Sequence, residues 1–474
     1  MSALLIVVPL LGILALNLPL KFFTKALAFW LCAAVCILQG VLALNPDSSF
    51  WSQPAEGLLS LLVFRPAVDN ISFVMFLAIA IVAMSSLFVS QSAIKENGRF
   101  TFINLLLLLI IGMNGVVLAN DLFTLYIFLE VTAVASFILI AFEKGKNAFE
   151  GAFKYVVLSA VASALILASL AILLMVSGGL GFNEVRDALL SSSHSKIAIL
   201  AVAVFVVGLF IKGGLVPFHG WLPDAYSSAP SPVSVVLAGI VTKATGVYTL
   251  VRLVISVFGF SEPVKLMLLL IGTISIVVGA LAALGQSDFK RMLSYSSISQ
   301  VGYIILGLGA GTELAIAGAV FHLFNHAIFK SLLFVNAAAV EEQTGTRNMD
   351  KLGGIASKMP VTGTTSVVAF LSTAGIPPLS GFWSKLIIIV AVWKAGFHGY
   401  AAIAILASLL TLAYFLSMQR RVFFGKLADG FAGLKEAGPW IIIPALILML
   451  ITVGLGLGFP WLFGTFLMPV GSIL

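Results

Sequence analysis

Glu130, Lys212, Lys243, Lys330 and Lys385 are ionisable residues set inside apolar runs. A charged side chain in hydrocarbon costs a few kcal/mol on insertion scales, so each such residue marks a functional site by default. One carboxylate and four lysines suit the movement of protons. Desolvation favours the neutral amine of a lysine, whereas a nearby carboxylate favours the ammonium, so the charge of a buried lysine follows its surroundings. Arginine stays charged at any accessible pH and cannot serve this way. All four deep bases are read as lysine. Every other charged residue can be placed in a loop or near the end of an apolar segment.

Glu130 follows the run Asp121-Leu-Phe-Thr-Leu-Tyr-Ile-Phe-Leu129. A helix starting near Asp121 carries it roughly 14 Å inward, near the middle of a bilayer. Lys212 is its expected partner, as a proton switch or as an ion pair that only ties two helices together. Lys243 lies mid-segment in Val-Thr-Lys-Ala-Thr-Gly. His322, His326 and Lys330 are four apart, which stacks them on one helix face. Imidazole donates, accepts and titrates near neutrality, so this stripe can pass protons. The competing readings are a metal held by the two histidines, and a Lys330 that merely snorkels to an interface. His219 and Asp224 are candidates for a channel mouth, although a plain interfacial loop accounts for them equally. His194 and His398 read as loop residues. Cys32 and Cys36 share a helix face as buried, apolar thiols. No zinc, haem or iron–sulfur motif is present, and Gly178-Gly179-Leu180-Gly181 lies in a connection, not between a strand and a helix. No metal, cofactor or redox site is therefore expected in this chain.

The elements that position these residues follow from composition. The 474 residues are 61% hydrophobic and 9% charged, against about 25% charged for a soluble chain. This is an all-α integral membrane protein. The alternation of an outer-membrane barrel is absent. About fourteen apolar runs are long enough to cross the hydrocarbon. They fall near 2–19, 24–44, 69–92, 100–119, 121–142, 152–178, 197–217, 231–256, 264–284, 292–311, 313–338, 361–391, 400–419 and 439–465. The first lacks a basic leader and reads as a retained span. The chain ends soon after the last, with no room for a long C-terminal helix.

Sixteen lysines and arginines fall in the odd-numbered loops and six in the even ones, among them Arg65 and Arg252. The positive-inside rule then puts the odd loops in the cytoplasm and both termini outside. The net charge of +7 is scattered singly, which argues against nucleic acid. The longest connections are 45–68, 179–196 and 339–360; the last, with Glu341-Glu342-Gln-Thr-Gly-Thr-Arg347-Asn, is polar enough for a cytoplasmic loop.

Two spans contain helix breakers. The seventh holds Lys212-Gly213-Gly214-Leu-Val-Pro217-Phe-His-Gly220-Trp, and the twelfth holds Gly375-Ile-Pro377-Pro378-Leu-Ser-Gly381-Phe-Trp-Ser-Lys385. Each has a Pro-x-x-Gly step followed by an aromatic residue, with Gly220 and Gly381 lying 161 positions apart. Paired broken segments in matching halves point to a repeat transporter with its site at the midplane; ordinary proline kinks are the alternative.

These motifs together resemble the antiporter-like subunits shared by respiratory complex I, Mrp-type cation/proton antiporters and energy-converting membrane hydrogenases. The residues concerned are Glu130 in Tyr-Ile-Phe-Leu-Glu, the stretch from Lys212 to Ala225, Thr242-Lys243, His322-x-x-x-His326-Ala-x-Phe-Lys330, and Gly375 to Lys385. The resemblance covers essentially the whole chain. It implies two inverted five-helix repeats, at 100–256 and 262–424, with broken seventh and twelfth helices. They follow three helices at 1–99 and precede a last helix at 439–474, all in one membrane domain, 1–474. It implies Glu130 and Lys212 as a coupled pair, Lys243 and the histidines as the central relay, and Lys385 as the terminal site. Lysine at position 385, where some complex I members carry glutamate, and Thr-Lys-Ala-Thr-Gly-Val-Tyr look closer to the D-type subunit of Mrp antiporters and its hydrogenase counterpart.

The function expected is translocation of protons within a multisubunit complex of the prokaryotic inner membrane, driven by partner subunits. Those partners would be other antiporter-like and small membrane subunits, with a hydrogenase or other redox module possible. The alternative is the pumping subunit of a complex I-type NADH:quinone oxidoreductase. A stand-alone transporter of an organic solute lacks the polar variety a solute site needs, and a purely structural subunit would leave five buried charges without a use. Sodium leaves no signature in such a sequence.

Overall fold

A computed structural model describes residues 2–18, 25–46, 68–191 and 196–467. Lys21 and Arg65, used in the loop asymmetry, His194, and most of the 45–68 connection lie outside these residues, as do position 19 of the first expected span and position 24 of the second. The helices are α1 (Leu4–Asn17), α2 (Lys25–Ala43), α3 (Asn70–Ala93), α4 (Glu96–Leu118), α5 (Leu122–Ile140), α6 (Lys146–Ser177), α7 (Phe182–Ser191), α8 (Lys196–Gly213) and α9 (Trp221–Ser228). They continue as α10 (Ser231–Phe258), α11 (Glu262–Leu284), α12 (Phe289–Ala310), α13 (Glu313–Thr344), α14 (Pro360–Ala374), α15 (Ser380–Lys394), α16 (His398–Val422) and α17 (Pro439–Leu457). Ten of these are long and apolar enough to cross a membrane. The apolar helices α1 and α2 are shorter, and α14 and α15 are two halves separated by a break. Two isolated bridges, Asp121 with Gly181 and Asp288 with Asn348, are the only β pairings among the described residues.

The starts of several helices are written locally. Asp69, Asp121, Asp288 and Thr312 each accept a bond from a backbone N–H three residues on, satisfying one donor that a helix start leaves open. The breaks end α8 and α14 in the same way. Gly214 (φ 66°) and Gly375 (φ 85°) turn left-handed, a conformation glycine adopts without a steric penalty. Leu215 N then donates to Phe210 O at 3.0 Å, and Ile376 N to Leu371 O at 3.0 Å. This closure satisfies carbonyls the interrupted helix would otherwise leave bare. Val216–Pro217 and Pro377–Pro378 are both cis.

The spanning windows of α10 and α13 are entirely buried, whereas those of α6 and α17 are mostly on the outside. α13 forms the axis and packs against α3, α10, α12, α14, α15 and α17. Its 32 residues make a rod about 48 Å long. α10 is α-helical only in part. Leu237–Val241, Lys243–Tyr248 and Val254–Phe258 are π-helical, an arrangement frequent at functional sites. Gly246 lies against the backbone of Gly213 and Lys212, where a Cβ would overlap both. That close approach joins α10 to the end of α8.

Three expectations about loops need correction. Glu341-Glu342-Gln343-Thr344 is the last turn of α13 and not a loop, because a fully buried helix can finish in a polar turn where it leaves the apolar layer. The 179–196 connection contains the helix α7. His398 starts α16 with its ring 4.4 Å from that of Trp393. Cys32 and Cys36 are buried free thiols.

Candidate functional site

Glu130 lies mid-helix on α5 and Lys212 in the last turn of α8, where a helix dipole favours a cation. The Lys212 ammonium is 3.0 Å from Glu130 Oε1. The lysine side chain is 4% exposed and the carboxylate 33%. Ser163 on α6, a residue with no distinguishing signal in the sequence, bridges them. Its hydroxyl donates to Glu130 at 2.5 Å and accepts from Lys212 at 3.3 Å.

The second break presents a matching arrangement. Lys385, near the start of α15, donates to Thr373 O at 2.8 Å, a carbonyl in the last turn of α14. Its ammonium also lies 4.5 Å from the centre of the Tyr303 ring. In both places an interrupted helix brings a lysine to the C-terminal, electronegative end of a half-helix.

Between the breaks lies a buried polar row. Lys243 is fully buried and donates to the carbonyl of Ala238, five residues back along the π turn. His322 Nδ1 bonds Ser384 Oγ at 2.8 Å, next to Lys385. The His322 and His326 rings are 6.2 Å apart and nearly parallel. Both ring nitrogens of His326, and Nε2 of His322, lack a protein partner. Lys330 does not snorkel. It is fully buried and donates to Leu293 O at 3.1 Å and Ser296 Oγ at 2.6 Å on α12. Tyr414 of α16 supports that serine at 3.0 Å.

The structure thus joins Glu130 directly to Lys212, and His322 to Ser384, the residue before Lys385 in α15. It makes no direct hydrogen bond among Lys243, His326 and Lys330. Among the described residues no three His, Cys, Asp or Glu side chains are grouped to hold a metal ion. The break residues Gly213, Gly214, Pro217, Pro377, Pro378 and Gly381 all fall between or at the ends of the half-helices.

Asp224 on α9 binds Lys154 at 2.6 Å and also Arg291. Burial alone would raise its carboxyl, but the two cations hold it below its ordinary value. It lines a cavity of about 300 Å³ with Glu150, Ser227 and Arg347. His219 is not among those lining residues; its ring sits 6.3 Å from that of Tyr295, and burial holds it below the usual imidazole value.

Two buried bases escaped the sequence reading. Arg252 is 9% exposed and binds Asp69 twice, at 2.5 and 2.7 Å, with Ser72 and Tyr248 adding further bonds. The deep bases are therefore not all lysine: α10 continues six residues past Arg252, carrying it inside and within reach of the Asp69 cap. Lys290, one of the sixteen bases counted to the odd-numbered loops, is 1% exposed and 2.5 Å from Glu341. Both stand near segment ends, where hydropathy cannot separate a burial from a loop.

A family described as NADH:quinone oxidoreductase/Mrp antiporter, TM, matches residues 119–411. The N-type subunit of the NADH-quinone oxidoreductase of Desulforudis audaxviator is 35% identical over 429 residues, covering 87% of this chain and 84% of that protein. The D-type subunit of the Na(+)/H(+) antiporter of Alkalihalophilus pseudofirmus is 33% identical over 395 residues, covering 82% and 79%. Identities this close do not separate the two branches. Among solved structures, a chain of the membrane-bound sulfane sulfur reductase, an archaeal respiratory membrane complex, superposes with a TM-score of 0.88. It is 28% identical, and the alignment covers 100% of this chain and 97% of that one. Fold, matched span and identity agree: this chain is an antiporter-like membrane subunit of the NADH:quinone oxidoreductase/Mrp antiporter family.

Proposed function

We propose that the chain moves protons across the membrane along Glu130, Lys212, Lys243, His326, His322 and Lys385, with Lys330 as a branch held by α12. The observation that carries this is the Lys212–Glu130 pair at 3.0 Å, built at the end of a helix that stops where α8 breaks. A carboxylate beside a lysine favours its ammonium, and a carboxylate that withdraws frees the proton to leave. Movement of α5 against α8 therefore gates Lys212. The unpartnered nitrogens of His322 and His326 favour water between the members of the row, because a buried polar atom left unbonded costs about 1–3 kcal/mol.

The fold reading that accompanies this is fourteen spans. Two inverted five-helix repeats, 100–256 and 262–424, are broken at α8/α9 and α14/α15 and flanked by 1–99 and 439–474. The like closure of the two breaks supports it. The complex sits in the prokaryotic cell membrane with the odd loops cytoplasmic and both termini outside. Other antiporter-like and small membrane subunits surround the chain and supply the driving force, through a sodium gradient or a redox module of hydrogenase type. A complex I-type quinone oxidoreductase is the second reading, favoured by the 35% identity to an N-type subunit. The test is proton transport by the assembled complex in vesicles, comparing wild type with Glu130→Gln and Lys212→Met. Both variants should lose transport while assembling normally; unchanged transport in both would discard the reading. Copurification in mild detergent then separates the branches: an iron–sulfur or nickel–iron module marks a redox-driven pump, small membrane proteins alone an antiporter.

A further inference from the structure

A polar cavity of about 920 Å³ opens where the end of α9 and the start of α10 meet the start of α12 and the end of α13. Asn147, Ser228, Asp288 and Arg347 line both it and the adjoining cavity around Asp224. At its inner side sits the pair of buried Lys290 and half-buried Glu341. The Lys290 ammonium is 2.5 Å from Glu341 and 2.9 Å from Ser231 Oγ, and that hydroxyl donates to Glu341 at 2.8 Å.

Each partner stands on a helix that also holds Lys330. Glu341 follows Lys330 by eleven residues on α13, three turns along the same face. Lys290 precedes Leu293 and Ser296, the two residues that bind the Lys330 ammonium, by less than two turns of α12. The intervening side chains, Leu293 and Phe334, are fully buried and apolar. Along both helices the pair therefore stands between the polar cavity and Lys330.

Glu341 also has a second cation in reach. Arg347 Nε lies 3.6 Å from its other oxygen and 3.4 Å from Asp288. Arg347 belongs to a strap after α13, tied to the start of α12 by Phe289 N to Arg347 O at 2.9 Å and Met349 N to Ser287 O at 2.8 Å. Here Glu341 contacts both cations at once, Lys290 through one oxygen and Arg347 through the other, so loss of the Lys290 contact would still leave it a cation to face.

We propose that the Lys290–Glu341 pair is a gate between this mouth and Lys330, with Arg347 as the alternative partner of Glu341. The proposal rests on Lys330 belonging to the transport path. Lys290 is a positioning residue here, so its test needs a readout beyond transport. The complex would carry Cys32→Ala and Cys36→Ala, with Ser296→Cys as the inner probe and Ser228→Cys as the mouth probe; Ser294→Cys replaces the inner probe if the first fails to assemble. A small water-soluble thiol reagent is applied from the mouth side. Adding Glu341→Ala should raise inner-probe labelling at least tenfold and leave the mouth probe within twofold. In separate complexes with native serines, Lys290→Met should cut coupled transport at least fivefold and Lys290→Arg should retain it. Unchanged inner labelling with Glu341→Ala, or full transport with Lys290→Met, overturns the gate. If Glu130 and Lys212 variants still abolish transport in that case, the path stands without the gate. If inner labelling rises but Lys330→Met transports normally, the barrier stands and the path through Lys330 falls.

Discussion

Replacing Glu130 with glutamine changes one charge and almost no volume, so its effect reports on the switch itself. At 3.0 Å and an effective dielectric constant of 20, the attraction to the Lys212 ammonium is about 5–6 kcal/mol. Two features reduce the part that is lost. Glutamine keeps an oxygen to accept from Lys212, and the carboxylate is one-third exposed, so water screens it. About 2–3 kcal/mol remains, slightly below the usual loss on breaking a buried pair. A switch can bias its two states by no more than its differential interaction energy. At 1.4 kcal/mol per decade, the bias falls roughly 30- to 140-fold. The assay is initial proton transport by the assembled complex in sealed vesicles, normalised to the chain present. Glu130→Gln should be slowed by that order, and Lys212→Arg likewise, because a guanidinium keeps the pair but does not release a proton. Glu130→Gln transport within twofold of wild type, in a normally assembled complex, would refute the reasoning.

Arg252→Met leaves Asp69 without its two-bond partner and should cost the complex about 2–4 kcal/mol, read as a shorter half-life on heating; adding Asp69→Asn should restore part of it. Gly246→Ala presses a methyl into the Gly213 backbone and should lower assembly and transport by an overpacking penalty of about 1–3 kcal/mol, whereas Gly433→Ala, with open space around it, should change neither. The carboxyl of Asp224 is held below its ordinary value, so its ion pairs contribute fully above an unfolded pKa of about 3.9 and fade only as pH falls through the lower folded value. The stability difference between wild type and Asp224→Asn should therefore be flat from pH 5 to 8 and shrink toward pH 3.

The parts of the site legible in the sequence were those in which chemistry and depth coincide. Glu130 could be placed because Asp121 is a recognisable helix start nine residues earlier, and the structure has that cap. Lys212 stood out because Gly213-Gly214 follows it, and the α8 break is there. Ser163 was invisible, since a serine within an apolar helix usually bonds its own backbone; Ser159 O, at 2.9 Å, is such an acceptor and competes with Glu130 for the Ser163 hydroxyl hydrogen. The π turns around Lys243 have no local signature, because the same residues also suit an α-helix and tertiary contacts select the wider register. The Lys290–Glu341 pair was hidden for a different reason. Hydropathy falls at a helix end whether the end meets water or a buried polar cluster, so the polar end of α13 read as a loop.

The half-helix ends at the two breaks bear on the charge of the interior. Four buried lysines stand along the row with a single carboxylate against them. Where no carboxylate faces a lysine, the dipole of a peptide carbonyl accepts from its ammonium instead: Thr373 for Lys385, Ala238 for Lys243 and Leu293 for Lys330. Carbonyls of this kind never titrate. On the proposed path these dipoles stay fixed while protons come and go, leaving an arriving proton few places to settle other than the lysines, the histidines and Glu130. A row with an acid beside every lysine would offer each proton a second resting place and scatter the flow.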